Sequence, residues 1–228
     1  VGAEILVNDP LSTSPTILFG GAVKLESDVT INSDSGTGTD ADITFTSTVD
    51  ADAFGNRRQL TVEAGDGRVT FNDAVGSIES LSTLDVTAAE IVLHDNVVIE
   101  DAGGLGVSFD GAVILQADIT IDANGAAVDN FVRFLGAVDG GGGVARRLTV
   151  DAGTATAILQ GEVGGNSPLA DLDVTAANIQ LGADIAVDAA GGNGVTFSGD
   201  VLLTGNVSID TDRASSPGPT QSDGSCER

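Results

Sequence analysis

The sequence predicts an all-β protein, a parallel β-helix (β-solenoid) of about nine to ten irregular rungs in 88–90-residue repeats. Three features predict this fold: a long internal repeat, a shorter period nested within it, and alternating β-branched segments between glycine-rich turns. Units that are too small to bury a core alone can bury one by stacking on their neighbours. We therefore expect the strands to pair in parallel, each with the strand one unit away.

The long repeat is visible in three segments that begin with phenylalanine. They read F-G-G-A-V-K-L-E-S-D-V-T-I from Phe19, F-D-G-A-V-I-L-Q-A-D-I-T-I from Phe109 and F-S-G-D-V-L-L-T-G-N-V-S-I from Phe197. The offsets between them are 90 and 88 residues. Self-similarity at a fixed long period is the sequence signature of a repeat architecture.

The repeat divides the chain into an array and a tail. We expect a solenoid over residues 1–209, with repeats near 19–108 and 109–196 and a partial repeat at 197–209. Residues 210–228 are rich in Pro, Gly and Ser and show no alternation. Because proline cannot donate to a central strand, this segment is predicted to be a tail or linker.

A shorter period lies inside the long one. A large apolar residue is followed four places later by Val or Ile at Phe19/Val23, Phe45/Val49, Phe71/Val75, Leu93/Val97, Phe109/Val113, Phe134/Val138, Leu159/Val163, Leu181/Ile185 and Phe197/Val201. The spacings are 26, 26, 22 and 16 residues, then 25, 25, 22 and 16. We interpret each long repeat as four shorter units. A β-sandwich also fits the short strands, but it gives no reason for their spacings to repeat.

Within the units, strand and turn signals alternate. Runs such as Val29-Thr30-Ile31 and Leu60-Thr61-Val62 predict strands with apolar side chains inward and Thr outward. Clusters such as Gly65-Asp66-Gly67 suit sharp corners. The side chains predicted to point inward are Phe19, Val23, Phe45, Phe71, Phe109, Phe134 and Phe197.

Composition narrows the classes of partner. The net charge is −25, from 34 acidic and 9 basic residues. Such a surface repels nucleic acid and anionic lipid, and we find no apolar stretch long enough to insert in a membrane. Tyr and Trp are absent, which argues against a carbohydrate site of the usual aromatic kind.

Acidic pairs are the candidates for metal binding. Asp50, Asp52, Asp210 and Asp212 are the calcium candidates, since calcium prefers several oxygen ligands. Asp40 and Asp42 form a further acidic pair. The alternative is that all of these are solvated loop carboxylates. Calcium is the one cofactor for which the sequence offers candidates.

No catalytic or cofactor-binding residue is predicted, and the chain is expected not to be an enzyme. His94 is the only histidine and is expected at the surface. Arg57-Arg58 and Arg146-Arg147 recur nearly in register; they indicate either an anion or partner contact, or local neutralisation of carboxylates. Cys226, the single cysteine, lies in the predicted tail.

The repeat units resemble those of a known family. The motifs F-x-G-x-V, L-T-V-x-A-G and L-x-V-T-A-A, joined by glycine-rich corners, are similar to the repeats of filamentous haemagglutinin-like and autotransporter-type bacterial surface adhesins. The resemblance covers roughly residues 3–209. It implies an extracellular or cell-surface bacterial β-helical filament used for adhesion, matrix or sheath formation.

The predicted function is thus a structural or adhesive segment of a large secreted or cell-surface repeat protein. We expect it to bind head to tail to other copies or to further repeats of its own parent chain, and to contact a host or matrix surface. Ala3–Val7 resembles Ala89–Leu93, so the array is expected to open partway through a repeat. Two alternatives stay open. A carbohydrate-active lyase or hydrolase would need a cleft with Lys or Arg, acidic and aromatic residues. An ice-binding solenoid would need Thr rows like Thr44, Thr46 and Thr48, which do not recur at Arg133 and Leu135.

Overall fold

The computed structural model describes residues 3–6, 16–36, 40–53, 55–100, 105–125, 128–188 and 193–212. Within these ranges the chain forms strands and turns, and it has no helix of the length and hydropathy needed to cross a membrane. The strands wind into a parallel β-solenoid of about 8 turns. The predicted fold is confirmed.

Twenty strands are described, and most contain two to five residues. They are β1 (Ala3–Leu6), β2 (Thr16–Phe19), β3 (Val23–Leu25), β4 (Val29–Asn32), β5 (Asp42–Phe45), β6 (Val49–Ala51), β7 (Gln59–Glu63), β8 (Arg68–Phe71), β9 (Thr83–Leu93), β10 (Val97–Val98), β11 (Gly106–Leu115), β12 (Ile119–Asp122), β13 (Val132–Phe134), β14 (Val138–Gly140), β15 (Arg147–Asp151), β16 (Thr156–Leu159), β17 (Asp171–Leu181), β18 (Ile185–Ala186), β19 (Gly194–Leu203) and β20 (Ile209–Asp210).

The strands stack into three faces, which the chain visits in the order A, B, C on every turn. Face A holds β1, β4, β7, the first halves of β9 and β11, β13, β16, and the second halves of β17 and β19. Face B holds β2, β5, β8, the second halves of β9 and β11, β14, β18 and β20. Face C holds β3, β6, β10, β12, β15, and the first halves of β17 and β19.

Every strand pairing among the described residues is parallel, apart from one isolated antiparallel bridge between Asp188 and Asp212. Parallel stacking brings identical side chains into ladders inside the solenoid. The Phe19, Phe45 and Phe71 rings stack with centroids 4.8 and 4.9 Å apart, which is the distance between neighbouring strands.

The side chains predicted to point inward do so. Phe45, Phe71, Phe109 and Phe134 are fully buried. Phe19, Val23 and Phe197 are half-buried and pack against the same core. They are less covered because they belong to the first and last described turns.

The glycine of the F-x-G-x-V motif is required at the bends of Gly111 and Gly199, whereas an added Cβ at Gly21 would meet nothing. Gly111 and Gly199, which are equivalent in successive repeats, both have a φ of +149°. A Cβ atom at either position would collide with the backbone carbonyl of the turn below, at Ala88 and Ala176 respectively. Only glycine lets the chain turn this corner while stacked so closely.

The predicted number of rungs was too high. Along face B, the successive register partners are Phe19, Phe45, Phe71, Leu93 and Leu115. One turn therefore takes 22 to 26 residues along this part of face B, and up to 31 residues elsewhere, as from Ile31 to Val62. The 16-residue spacing from Leu93 to Phe109 is shorter than a turn, because it carries the chain from face B through face C to face A. Counting that spacing as a full rung twice gives nine to ten rungs instead of about 8.

This short interval rotates the long repeat about the solenoid axis. Phe19 lies on face B, its equivalent Phe109 on face A, and Phe197 on face C. Each repeat is therefore three full turns and about two-thirds of another. Successive repeats present equivalent surfaces on different sides of the molecule.

The same geometry corrects the alignment of the first strand. Ala3–Leu6 lies on face A, which the chain visits immediately before it reaches Thr16–Phe19 on face B. The strand that the chain forms immediately before the one containing Phe109 is Val97–Val98, on face C. Ala3–Leu6 is thus equivalent to Val97–Val98 and not to Ala89–Leu93, which comes two faces before Phe109. At the other end, β20 extends one residue past the boundary predicted at residue 209.

Candidate functional site at the corners of the solenoid

Many acidic residues lie at the corners, where their side chains accept hydrogen bonds from the next turn. Asp28 accepts from the Gln59 backbone N–H at 3.1 Å, and its repeat equivalent Asp118 accepts from Arg147 at 3.0 Å. The same contact is made by Asp42 with Arg68, Asn96 with Thr120 and Asp184 with Ser208. In each pair the acceptor lies on the earlier turn. These contacts satisfy N–H groups at the start of a strand, so much of the acidic charge has a structural role.

Two further aspartates at the corners, Asp50 and Asp139, are buried and occupy equivalent positions in successive repeats. Asp50 is 7% exposed, and its Oδ1 accepts from the Ile78 and Glu79 N–H groups at 2.9 and 3.3 Å. Asp139, in the next repeat, is 4% exposed and accepts from Asn166 and Ser167 at 2.9 and 3.0 Å. Each carboxylate thus holds in place a loop of the following turn. The calcium candidate Asp50 therefore already has hydrogen-bond donors on Oδ1.

A second pair of aspartates at equivalent positions, Asp40 and Asp129, also accepts hydrogen bonds at the corners. Asp40 accepts from the N–H and hydroxyl of Ser35 and from the Asp66 N–H at 2.8 to 2.9 Å. Hydrogen bonds from the Ser35 and Asp66 backbone lower the pKa of Asp40 below its ordinary value. Asp129 accepts from the hydroxyl and N–H of Thr154, and these bonds, the hydroxyl first, lower the pKa of Asp129 in the same direction.

The calcium candidate Asp52 forms an ion pair. Its carboxylate lies 2.8 Å from Nε of Arg58 and also accepts from Asn56. The bond from Arg58 lowers the pKa of Asp52. Arg58 thus fits local neutralisation of a carboxylate.

The two arginine pairs are shifted by one residue relative to one another. The Arg58 carbonyl accepts from Ser82, and the Arg146 carbonyl accepts from Ala170, so Arg58 and Arg146 are equivalent. Arg147 instead occupies the place of Gln59, where it lies 3.5 Å from the buried carboxylate of Asp171.

The remaining calcium candidates, Asp210 and Asp212, lie on the last described turn. Hydrogen bonding between their side chains and repulsion by Asp210 raise the pKa of Asp212. Within the described ranges, no group of three or more acidic, histidine or cysteine side chains is arranged to hold a metal ion. Calcium binding at this pair stays a prediction, and thermal melts with calcium and with chelator would test it: identical melts would exclude it.

A cavity of about 290 Å³ on face C bears on the carbohydrate-enzyme alternative. Its lining includes Lys24, Asp50, Asp52, Ile78 and Glu79. It therefore contains the basic and acidic residues that such a cleft needs, but none of the described residues that line it is aromatic. Two of its carboxylates are already engaged, Asp50 by backbone N–H groups and Asp52 by Arg58.

The other predicted residues are dispersed. His94 is exposed, as expected. Thr44 lies opposite Thr70 on face B, whereas the Thr46 hydroxyl donates to the Phe19 carbonyl. Cys226 lies outside the described residues.

One cluster was missed by the sequence analysis. Leu105, Phe131, Arg133 and Ile158 line a shallow cavity of about 180 Å³ on face A. Its signal was available in the repeat alignment, because Phe131, Arg133 and Ile158 stand where the first repeat has Asp42, Thr44 and Thr70. The four residues come together only after each turn is given its correct length.

Fold and corner chemistry together define a parallel β-solenoid repeat protein whose turns are joined by carboxylate-to-backbone hydrogen bonds. No family model, curated protein or solved structure matches the chain.

Proposed function

We propose that this chain is a structural and adhesive segment of a large bacterial repeat protein that is secreted or held at the cell surface. It would build a stiff filament or matrix by stacking head to tail on other copies or on further repeats of its parent chain. Its acidic surface would face the medium and contact a host or matrix surface.

The last described turn carries this proposal. Val201 and Leu203 continue the inward-facing ladder of Ile179 and Leu181 on face A. Ile179 and Leu181 are buried, whereas Val201 and Leu203 are 45% and 56% exposed. Strand edges and apolar ladder positions left open at the end of a stack favour pairing with another turn.

The polarity of the corner contacts supports a head-to-tail arrangement over a head-to-head one. Asn206 occupies the position of Asp28 and Asp118, whose side chains accept an N–H from the following turn. If the three faces stay aligned, the first strand of face B in the next copy would continue the ladder of Ile185 and Ile209 with its Ile17. Such contacts repeat in one direction and build an open filament.

The net charge of −25 favours separate filaments. Like charge on the sides of two filaments opposes lateral association, and screening acts over about 8 Å at physiological ionic strength. Stacking buries apolar ladder positions at the ends, so it is less sensitive to salt.

Size-exclusion chromatography with light scattering tests the filament. We expect the mass of the wild-type protein to rise with concentration. Leu203→Lys places a charge on the exposed end of the inward ladder and should keep the protein monomeric. Leu202→Lys is the matched control, because Leu202 points outward on the same strand and is already exposed. A wild-type mass that stays monomeric at all concentrations would contradict the proposal.

A further inference from the structure

Face A carries an exposed apolar cluster around one arginine. Leu105 is 67% and Phe131 46% exposed, and both border Ile158 and Arg133 in the 180 Å³ cavity. Arg133 is held in place by a hydrogen bond to the Ser108 hydroxyl at 3.2 Å. None of the described residues in the lining carries a carboxylate, although the chain as a whole has 34 acidic residues.

The first repeat folds without these residues. Where the second repeat has Phe131, the first has Asp42, whose carboxylate accepts the Arg68 N–H at 2.8 Å. The second repeat has therefore replaced a residue that stabilises the corner by an exposed aromatic ring. An exposed apolar cluster on a charged surface is characteristic of a contact site.

The size of the cavity indicates what it holds. Small-molecule and cofactor pockets enclose roughly 300–1,000 Å³, which is more than this cavity provides. A volume of about 180 Å³ instead suits one large apolar side chain. Single aromatic or aliphatic anchors in such pockets supply much of the affinity of protein–protein contacts.

The positive charge of Arg133 indicates which group the partner carries beside the inserted side chain. Among the described lining residues Arg133 is the only charged one. A guanidinium group is suited to planar pairing with a carboxylate. We propose that this cluster binds a protein partner that inserts one apolar side chain flanked by a carboxylate. The inference rests on the adhesive role proposed above and supplies it with a contact surface on the side of the solenoid.

The site can be removed by exchanging residues between repeats. The triple variant Phe131→Asp, Arg133→Thr, Ile158→Thr installs the residues that the first repeat carries at these positions, so the fold is expected to persist. Ile78→Asn is the matched control, since it replaces another exposed apolar residue by its own repeat equivalent, Asn166. Circular dichroism confirms the fold of each variant.

Blocked glycine-flanked peptides containing Phe-Glu, Phe-Lys or Ser-Glu serve as probes, and saturation-transfer NMR detects their binding to the full chain in any assembly state. We expect the Phe-Glu peptide to bind and the Ser-Glu peptide not to bind. The Phe-Lys peptide should bind about two- to fivefold more weakly, because one partly exposed ion pair contributes that much. The triple variant should lose binding, and Ile78→Asn should retain it.

Arg133→Thr alone provides a second test that does not depend on the triple variant folding. It should remove the difference between the Phe-Glu and Phe-Lys peptides. Equal binding of all three peptides, no binding of any, unchanged binding by the triple variant, or binding of a uronic-acid oligosaccharide instead would each overturn the inference. Peptide binding by a strict monomer would support this site and contradict the filament; assembly without peptide binding would do the reverse.

Discussion

Asp50 and Asp139 show how single residues hold the corners of this solenoid. Each is buried, and each accepts two backbone N–H groups from a loop 27 to 29 residues further along the chain. A buried N–H that loses its acceptor costs free energy because water cannot replace the bond. Carboxylates that composition alone assigns to the surface are therefore part of the structure.

Removing the Asp50 carboxylate should lower the stability of the folded protein. We expect Asp50→Ala to lower the free energy of unfolding by about 1–3 kcal/mol, since two N–H groups lose their acceptor. Asp50→Asn keeps an accepting oxygen and should cost less. Urea denaturation measures both, with the exposed Asp110→Ala as control. If Asp50→Ala were as stable as Asp110→Ala, the carboxylate would not support the loop.

Acid stability should depend on Asp40 and Asp129. Both have a pKa below the ordinary value of 3.8, because hydrogen bonds favour the carboxylate in the folded protein. The stabilisation is complete above pH 3.8 and is lost as the pH falls below that value through the folded pKa. The double variant Asp40→Asn, Asp129→Asn should lose less stability than the wild-type protein as the pH falls below 3.8. Melting temperatures between pH 2 and pH 5 measure this loss, and an equal loss in the wild-type protein and the double variant would contradict the role of these two groups.

At the scale of elements, the strands are short and depend on their ladders. A strand of three or four residues cannot bury a core, but the Phe19, Phe45 and Phe71 rings bury one another between turns. Glycine at the bends permits this spacing, as Gly111 and Gly199 demonstrate. The sequence pattern predicted the ladders because inward residues alternate with outward ones in strands such as β5, β7 and β15.

The phenylalanine ladder should lose most stability when its middle ring is removed. Phe45→Ala removes a fully buried ring that is stacked on both sides and should cost about 3–5 kcal/mol. Phe19→Ala removes a half-buried ring of the first described turn and should cost less. Chemical denaturation of the two variants compares them directly; equal losses would mean that stacking from both sides adds nothing.

At the scale of the whole molecule, the number of residues per turn decides which surfaces meet. The 16-residue interval moves each repeat to another face, so equivalent residues of successive repeats do not stack on each other. An extended array of such repeats would present each surface feature around the axis. This arrangement suits a filament that is contacted from several sides.

A deletion should leave the protein folded only if it removes a whole turn. Removing residues 94–115 takes out one complete turn between Leu93 and Leu115, which are register partners on face B. The remaining ladders can stack again, so this variant should stay folded. Removing only residues 94–105 deletes the strand Val97–Val98 and interrupts face C. Circular dichroism and thermal melting should show that the shorter deletion is the more damaging; the opposite order would contradict the three-face register.

The sequence by itself determined the parallel solenoid, the inward phenylalanines and the strand segments, because alternation and repetition are local properties that can be read along the chain. It did not determine the number of turns, since the 16-residue spacing looks like a unit until the faces are known. The roles of Asp50 and Asp52 and the cluster around Phe131 and Arg133 were decided only by the tertiary structure. The partners of Asp50 and of the cluster residues lie on other turns, so the length of each turn selects which residues meet. Asp52 instead meets Arg58 within its own loop, because the fold of that loop brings the two side chains together.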